Sequence, residues 1–277
     1  MIRINLHIHS TCSDGVCSPP ELVRLLSQNR VSIAALTDHD TAAGVPAFLA
    51  ACRRRGIRGV SGIEISSTFE GDELHILGYR FDPQSPALMS ALERCREARD
   101  ARNAEICRRL SGLGLPVTLE EVAARAASRV VGRPHIAQVL LDKGRVRSIQ
   151  EAFELYLAPG ASAYVPRDLM PSAEAVELIR GAGGLPVWAH PLTSLSNRDG
   201  LDSALDKLAA LGLWGVECWF HGASALDTFT CLNAAGSRRL YATAGTDFHG
   251  RSGYGARISG CLVREDLLPW ARFCGGR

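Results

Sequence analysis

Short apolar runs alternate with segments of helical periodicity along most of the chain. The runs that predict strands are IRINLHIH, VSIAALTDHD, IRGVSGIEIS and DELHILGYRF in the first part, and GGLPVWAHP, LWGVECWF and RLYATAGTDFH in the last part. Helical patterns such as SPPELVRLLSQN and GVPAFLAACRRRG lie between most of these runs. About seven strands, mainly in β–α alternation, predict a parallel sheet or barrel of the α/β class.

The alternation stops between residues 86 and 171, where helical patterns follow one another. A long charged helix, SPALMSALERCREARDARNAEICRRLSGLG, is followed by TLEEVAARAASRVVGRPHIAQVLLDKG and SIQEAFELYL. We therefore expect a barrel core made of residues 1–85 and 172–277, with residues 86–171 as a helical insertion domain that caps the substrate site.

Composition narrows the classes of function only slightly. The net charge of +2 neither favours nor excludes a nucleic-acid partner. We find no apolar run long enough for a signal peptide or a membrane span. The nine cysteines are scattered and form no C-x-x-C pair, which argues against a zinc ribbon and favours reduced thiols. The expectation is a cytoplasmic protein with no membrane contact and no obligate protein partner.

Polar residues of metal-ligand type stand at the ends of the predicted strands. His7 and His9 share one face of the first strand because side chains alternate along a strand. Six of the eight histidines occupy such positions, at the end of a barrel where sites are built. The nine candidate ligands are His7, His9, Asp14, His39, Glu64, His75, His190, Asp247 and His249.

Histidine combined with carboxylates and without cysteine suits Mn²⁺, Fe²⁺ or Zn²⁺. Nine candidates are too many for one ion, but they suffice for two to three divalent ions if Glu64 bridges a pair. Clustered divalent ions are suited to the hydrolysis of phosphate esters. The expected cofactors are therefore two to three such ions, with Mn²⁺ expected and Fe²⁺ or Zn²⁺ as alternatives.

Six motifs, in this order, resemble those of the PHP (polymerase and histidinol phosphatase) superfamily: LHIHSTCSDG, LTDHD, GIEIS, ELHILGY, WAHP and TDFHG. The resemblance implies a metal-dependent phosphoesterase on a distorted (β/α)7 barrel. The segments GRPHIA and AYVP resemble the TrpH/YciV-like branch. That branch is linked to hydrolysis of nucleoside 3′,5′-bisphosphates and to trimming of RNA 5′ ends.

The resemblance also implies how the ligands divide. His7, His9, Glu64 and Asp247 would hold one ion and the bridging water that attacks phosphorus. Glu64, His75 and His190 would hold a second ion, and Asp14, His39 and His249 a third. Many relatives have aspartate where this chain has Asn5, a departure that we expect to affect only the tuning of His7.

Other polar residues allow more than one interpretation. Arg133 and His135 begin a predicted helix and are candidate phosphate contacts, with Arg129 and Tyr164 as further candidates; a surface arginine at a proline-opened helix start is the alternative. One or two arginines of the long charged helix, or Asn103, could face the site, but the sequence does not identify them. Asp38 is expected to orient a neighbour or cap a helix. Glu217 is either a ligand or a buried, hydrogen-bonded carboxylate, and His221 is expected to be a loop residue.

The hypothesis that unites these residues is removal of the 3′-phosphate from nucleoside 3′,5′-bisphosphates, together with 5′-to-3′ trimming of short 5′-phosphorylated RNA. The alternatives are a histidinol-phosphate-type phosphatase and a non-catalytic metal-binding accessory module. An amidohydrolase with a carboxylated lysine is a further alternative, but Lys207, in a predicted helix, is the only lysine of the barrel core.

Overall fold

The computed structural model describes residues 1–125, 131–250 and 257–268. The strands are β1 Ile2–Asn5, β2 Ile33–Leu36, β3 Arg58–Phe69, β4 Asp72–Tyr79, β5 Met170–Pro171, β6 Leu185–Trp188, β7 Gly215–Trp219, β8 Tyr241–Ala244 and β9 Cys261–Val263. The helices are α1 Pro19–Gln28, α2 Val45–Arg55, α3 Pro86–Gly112, α4 Leu119–Arg125, α5 Arg133–Asp142, α6 Ile149–Ala152, α7 Ser172–Gly181, α8 Pro191–Ser194, α9 Leu201–Ala210 and α10 Ala225–Ser237. A π-helical turn, Phe153–Leu157, follows α6.

The strands form one sheet in the order β8-β7-β6-β4-β3-β2-β1-β9, with β5 paired to β3. The sheet curls until its two sides meet beyond β1 and β8. There the Leu6 amide donates to the Ala244 carbonyl at 3.0 Å, and the Asp247 amide donates to the His7 carbonyl at 2.9 Å. The sheet is therefore a nearly closed barrel, and the predicted distorted α/β barrel is confirmed.

β4 departs from the mainly parallel arrangement. It forms a hairpin with β3 and is antiparallel to both β3 and β6. Because β4 runs in the opposite direction, the residues near its beginning reach the end of the barrel where the parallel strands finish. His75 lies in this part of β4, opposite Ser66 of β3.

Local sequence explains the elements that support the site. All four residues of β2 are buried, as expected for a parallel strand covered on both faces. α1 starts with two prolines, and the Ser18 amide before them donates to the Glu21 carboxylate at 2.8 Å. α1 therefore fixes the chain that follows the loop carrying Asp14.

The predicted insertion has an apolar cluster of its own, formed by residues between 106 and 163. α3 belongs to two clusters. Leu88 and Leu92, near its beginning, pack with the barrel cluster, whereas Ile106 and Leu110 pack inside the insertion. One long helix therefore joins the insertion to the barrel, and the domain boundaries at residues 86 and 171 stay a prediction.

Among the described residues, no helix combines the length and apolar character that crossing a bilayer requires. The eight cysteines of the described ranges are free thiols, half of them buried and half partly buried.

Candidate metal centre

His7 and His9 lie just beyond β1, in a segment that stays extended and forms a parallel bridge from Ile8 to Phe248. Both side chains are fully buried and point to the same place. The Nε2 atom of His7 lies 3.3 Å from Glu64 Oε2 and 3.3 Å from Asp247 Oδ1. The Nε2 atom of His9 lies 3.2 Å and 3.0 Å from the same two oxygens. The shared face expected from strand alternation is thus present.

Glu64 of β3 stands at the centre of the cluster and is fully buried. Its Oε2 atom faces His7, His9 and the Nδ1 atom of His39, the last at 3.0 Å. Its Oε1 atom faces His75 Nδ1 at 2.8 Å and His190 Nε2 at 3.3 Å. A carboxylate whose two oxygens face different imidazoles has the arrangement that bridging two ions needs.

Asp14 lies on the opposite side of His9. Its Oδ1 atom is 3.2 Å from His249 Nε2 and 3.9 Å from His9 Nδ1. The Nδ1 atom of His249 is 2.8 Å from the Asp247 carbonyl oxygen, which requires Nδ1 to donate and leaves Nε2 directed at Asp14.

The candidate ligand atoms form three sets within which all atoms lie within 4.8 Å of one another: His7, His9, Glu64 and Asp247; His9, Asp14, His39 and His249; and His39, Glu64 and His75. The first set equals the one that the resemblance implied, and the second contains the implied residues plus His9. In the third set His39 stands where His190 was expected. His190 lies outside the set, although its Nε2 is 3.3 Å from Glu64 Oε1 and its ring contacts the His75 ring edge-on, with 5.2 Å between the centroids. The division of ligands among ions stays a prediction.

The residues present fit divalent cations. Seven buried atoms of the cluster have no hydrogen bond in the described structure: Nε2 of His7, both ring nitrogens of His9, Nδ1 of His39, Nδ1 of His75, Oε2 of Glu64 and Oδ1 of Asp247. Buried polar atoms normally find partners. Imidazole and carboxylate donors that converge without hydrogen bonds are a donor set for Mn²⁺, Fe²⁺ or Zn²⁺.

The electrostatics of the cluster favour positive charge. Burial lowers the pKa of His9, but the nearby carboxylates of Asp247 and Glu64 outweigh burial and raise this pKa to about 10. The pKa of His75 is likewise raised to about 10, against burial, chiefly by Glu64. The carboxylates thus create a field that a bound cation would satisfy.

Glu217 of β7 is a buried, hydrogen-bonded carboxylate rather than a member of the three ligand sets. Its oxygens lie 3.1 and 3.2 Å from His7 Nδ1, and the His190 amide donates to one of them at 3.0 Å. The contact makes Nδ1 of His7 the donor and directs Nε2 into the cluster. Gly245 lies against this pair, since a Cβ there would be 2.2 Å from His7 Cβ.

We expect Glu217→Gln to weaken Mn²⁺ binding by about 10- to 100-fold, the usual effect of losing the partner that orients a ligand histidine. The amide keeps the volume but removes the charge that fixes the His7 ring. Calorimetric titration of the metal-stripped protein with Mn²⁺ measures the change. Glu177→Gln on the exposed face of α7 is the matched control, and an unchanged Mn²⁺ affinity in Glu217→Gln would contradict the assigned role.

Asp38 and Asn5 brace the loops that carry ligands. Asp38 accepts hydrogen bonds from the Ser10 amide, the Ser10 hydroxyl and the Ser13 hydroxyl, each at 2.7 Å, so it orients the loop before Asp14 and does not cap a helix. Asn5 exchanges hydrogen bonds with Thr246, next to Asp247. Its contacts therefore position the Asp247 segment, in addition to any effect on His7.

Three residues at the site adopt the left-handed region that non-glycine residues rarely occupy: Asp40 at φ 51°, His190 at φ 32° and Asp247 at φ 53°. Such conformations cost about 1–3 kcal/mol each and cluster at functional sites. The surrounding hydrogen bonds, such as the His190 amide to Glu217, hold the backbone in place.

A cavity of about 240 Å³ adjoins the metal cluster. One side presents candidate ligands, including His39, His75 and Asp247. The other side presents four arginines, Arg99, Arg102, Arg133 and Arg167, all from the predicted insertion. Burial and the like charges of Arg133 and Arg167 lower the pKa of Arg102 to about 10. The cavity therefore joins a candidate cation site to a concentration of positive charge that suits phosphate groups.

Of the four predicted substrate contacts, only Arg133 lines the cavity in the described part of the chain. Arg133 lines the cavity; it donates to the Leu157 carbonyl at 3.2 Å, and its guanidinium lies 5.8 Å from the Phe153 ring and 5.9 Å from the Tyr164 ring. Tyr164 therefore supports Arg133 and does not line the cavity. His135 does not line it either, because its buried Nδ1 accepts from the Gly132 amide at the start of α5. The fourth predicted contact, Arg129, lies outside the described residues, so its role stays a prediction.

Three arginines of the cavity were missed or left unidentified by sequence reasoning. Arg99 and Arg102 are the members of the long charged helix that face the site, whereas Asn103 donates to the Val131 carbonyl. A signal existed, because counting back by helical spacing from the buried Ile106 and Leu110 reaches Arg102 and Arg99. Arg167 had no such signal, since it lies in an irregular segment. His221 is exposed, as expected.

Comparisons with known proteins agree with this geometry. A sequence model of the PHP domain matches residues 5–157. The chain belongs to the PHP domain family. A 3′,5′-nucleoside bisphosphate phosphatase of Chromobacterium violaceum is 33% identical over 98% of this chain and 95% of its own length. A 5′-3′ exoribonuclease of Haemophilus influenzae is 34% identical over 98% of this chain and 99% of its own length.

A solved structure from Bifidobacterium adolescentis, described as a putative metal-dependent phosphoesterase, superposes with a TM-score of 0.88 at 28% identity, covering 99% of this chain and 96% of that one. The family, the fold and the phosphoesterase class predicted from the sequence are therefore confirmed.

Proposed function

We propose that this PHP phosphoesterase removes the 3′-phosphate from nucleoside 3′,5′-bisphosphates. The 3′-phosphate is placed at the metal cluster, and the 5′-phosphate is bound by the arginines on the opposite wall. The observation that supports this assignment is the single cavity lined on one side by candidate metal ligands and on the other by Arg99, Arg102, Arg133 and Arg167. A substrate with two phosphates separated by a ribose matches two such sites in one cavity.

The metal ions are held by the three ligand sets, with Mn²⁺ as the proposed ion and Fe²⁺ or Zn²⁺ as alternatives. When bound, divalent ions supply Lewis-acid stabilisation and a nucleophile that is active at neutral pH. The residues of this chain orient the ligands: Glu217 fixes the His7 ring, and Asp38 fixes the loop before Asp14. The arginines bind and align the substrate through its second phosphate.

Both curated relatives support a nucleotide substrate. One is named for nucleoside bisphosphates and the other for 5′-3′ exoribonuclease activity, and each matches nearly the whole chain. Short 5′-phosphorylated RNA is therefore proposed as a second substrate class, bound with its 5′-phosphate at the same arginines. The cytoplasmic location stays a prediction.

The alternatives fit the site less well. Histidinol phosphate carries one phosphate and a cationic amine, and four arginines in the cavity would repel the amine. A non-catalytic metal-binding module would need the ligand sets but not the arginine-lined cavity beside them. An amidohydrolase with a lysine ligand is disfavoured because Lys207 lies on α9 and its Nζ donates to Glu70 at 2.5 Å on the surface.

The test is a comparison of substrates with the Mn²⁺-loaded protein. Phosphate release from adenosine 3′,5′-bisphosphate is compared with release from adenosine 3′-monophosphate and from histidinol phosphate. We expect the highest kcat/KM for the bisphosphate, because only this substrate uses both sites. Equal or better turnover of histidinol phosphate would exclude the nucleotide assignment, and no phosphate release from any ester would exclude the reaction.

A further inference from the structure

Asp40 lies on the loop after β2, one residue beyond the candidate ligand His39 and outside the three ligand sets. Its side chain is almost completely buried, with 1% exposed. A carboxylate buried at this depth requires partners. Those partners connect the metal cluster to the arginine wall of the cavity, the side formed by Arg99, Arg102, Arg133 and Arg167.

Both oxygens of Asp40 are engaged. Oδ1 accepts from the Ser66 amide at 3.0 Å, and Oδ2 accepts from Nη2 of both Arg99 and Arg167. The Asp40 amide donates to the Glu64 carbonyl at 2.8 Å. Asp40 is therefore fixed, through backbone and side chain, to the stretch of β3 that carries Glu64.

Arg99 and Arg167 each use one Nη2 for Asp40 and retain further N–H donors. The Nε atoms of both are buried and have no hydrogen-bond partner in the described structure. Both side chains are at least nine-tenths buried, and both line the cavity. Because each guanidinium group carries five N–H donors and both groups line the cavity, an anion in the cavity can accept hydrogen bonds from them.

We propose that Asp40 is a positioning residue for the second phosphate. It holds Arg99 and Arg167 at a fixed place relative to Glu64 and so sets the separation at which the two phosphates of the substrate are bound. Arg102 and Arg133 are held instead by the carbonyls of Val165 and Leu157 and keep their full charge for the anion. This inference rests on the proposed function.

The competing interpretation is an ion pair that only fastens α3 to the barrel. The two roles differ in what they do to substrate preference. Loss of a structural ion pair lowers stability and reduces turnover of every substrate alike. Loss of a positioning residue raises KM for the bisphosphate more than for the 3′-monophosphate, since only the bisphosphate occupies the arginine wall.

Asp40→Asn is the first variant. Asparagine still accepts from the Ser66 amide and tolerates the left-handed backbone, but its amide cannot hold the two guanidinium groups. We expect KM for adenosine 3′,5′-bisphosphate to rise by about 10- to 100-fold, the range for hydrogen bonds to charged groups, with a smaller change for the 3′-monophosphate. The control is Asp206→Asn, which removes a carboxylate paired with Arg238 away from the cavity.

A double-mutant cycle tests whether Asp40 acts through the arginines. In an Arg99→Gln/Arg167→Gln background, adding Asp40→Asn should raise KM for the bisphosphate no further. A further rise equal to that in the wild-type background would overturn the proposal. If Asp40→Asn does not fold, Arg99→Gln alone replaces it, and an unchanged ratio of bisphosphate to monophosphate kcat/KM overturns the proposal.

The outcomes separate this inference from the proposed function. A wild-type protein that does not prefer the bisphosphate refutes both. A wild-type preference that survives Asp40→Asn refutes the positioning role alone.

Discussion

Glu64→Gln is expected to lower kcat by about 10³-fold or more and to leave the protein with less bound metal. Glu64 belongs to two of the three ligand sets, and its two oxygens face five imidazoles: His7, His9, His39, His75 and His190. The glutamine side chain has the same volume but no charge, and its amide group would place a donor against imidazoles. Losing several kcal/mol of metal-derived transition-state stabilisation corresponds to this fall in rate.

The measurement pairs metal content, determined by atomic spectroscopy after loading with Mn²⁺, with the rate of phosphate release. Glu70→Gln is the matched control, because Glu70 lies on the turn of the same hairpin and pairs with Lys207 at the surface. A Glu64→Gln variant with full metal content and wild-type kcat would show that the cluster is not the reaction centre.

The members of the metal cluster could be predicted because each stands in a short sequence pattern at or beside a predicted strand. His7 and His9 share a face by strand alternation, and Asp247 and His249 follow a run of strand-forming residues. In a barrel, the parallel strands deliver such residues to one end, whereas His75 reaches this end because it lies near the beginning of the antiparallel β4. The nine predicted ligands accordingly lie in one cluster.

Two features could not be predicted in this way. The direction of β4 depends on its hairpin with β3, and an apolar run reads the same in either direction. The position of Arg167 depends on a contact with Asp40 across 127 residues, for which no periodicity exists. His135 illustrates a third limit, because a helix start next to an arginine predicts a phosphate contact, whereas this ring is used to hold the Gly132 amide.

The arginine wall keeps a net positive charge although two carboxylates lie beside it. Burial raises the pKa of Asp40, but Arg167 and Arg99 outweigh burial and hold this pKa well below its usual range, so Asp40 remains charged. One carboxylate then opposes two of the four arginines. Glu73, which also lines the cavity, has its pKa lowered to about 2, chiefly by its interaction with His75. The four arginines outnumber Asp40 and Glu73, which leaves net positive charge on this wall for an anionic group. The other carboxylates that line the cavity, Asp14 and Asp247, belong to the ligand sets.

Arg102→Gln combined with Arg133→Gln is expected to raise KM for adenosine 3′,5′-bisphosphate by about 10²- to 10³-fold, with a much smaller effect on the 3′-monophosphate. Each charge-assisted hydrogen bond to a phosphate contributes about 1.5–3 kcal/mol. The two effects should add incompletely, because Arg102 and Arg133 repel each other and removing one relieves the other. Steady-state kinetics on the two substrates, for both single variants and the double variant, measure the effect.

The matched control for this prediction is Arg108→Gln. Arg108 lies on the same helix as Arg102, but its side chain is 73% exposed and pairs with Glu105. Exposed pairs of this kind contribute little, so both substrates should retain wild-type KM in the control. Arg102→Gln removes both a positive charge and the hydrogen bond to the Val165 carbonyl. Arg102→Lys separates the two effects, because it retains the charge and removes the guanidinium group that makes this bond. If the double variant kept the wild-type preference for the bisphosphate, the second phosphate could not be bound at this wall, and the 5′-phosphate would have to be placed elsewhere in the cavity.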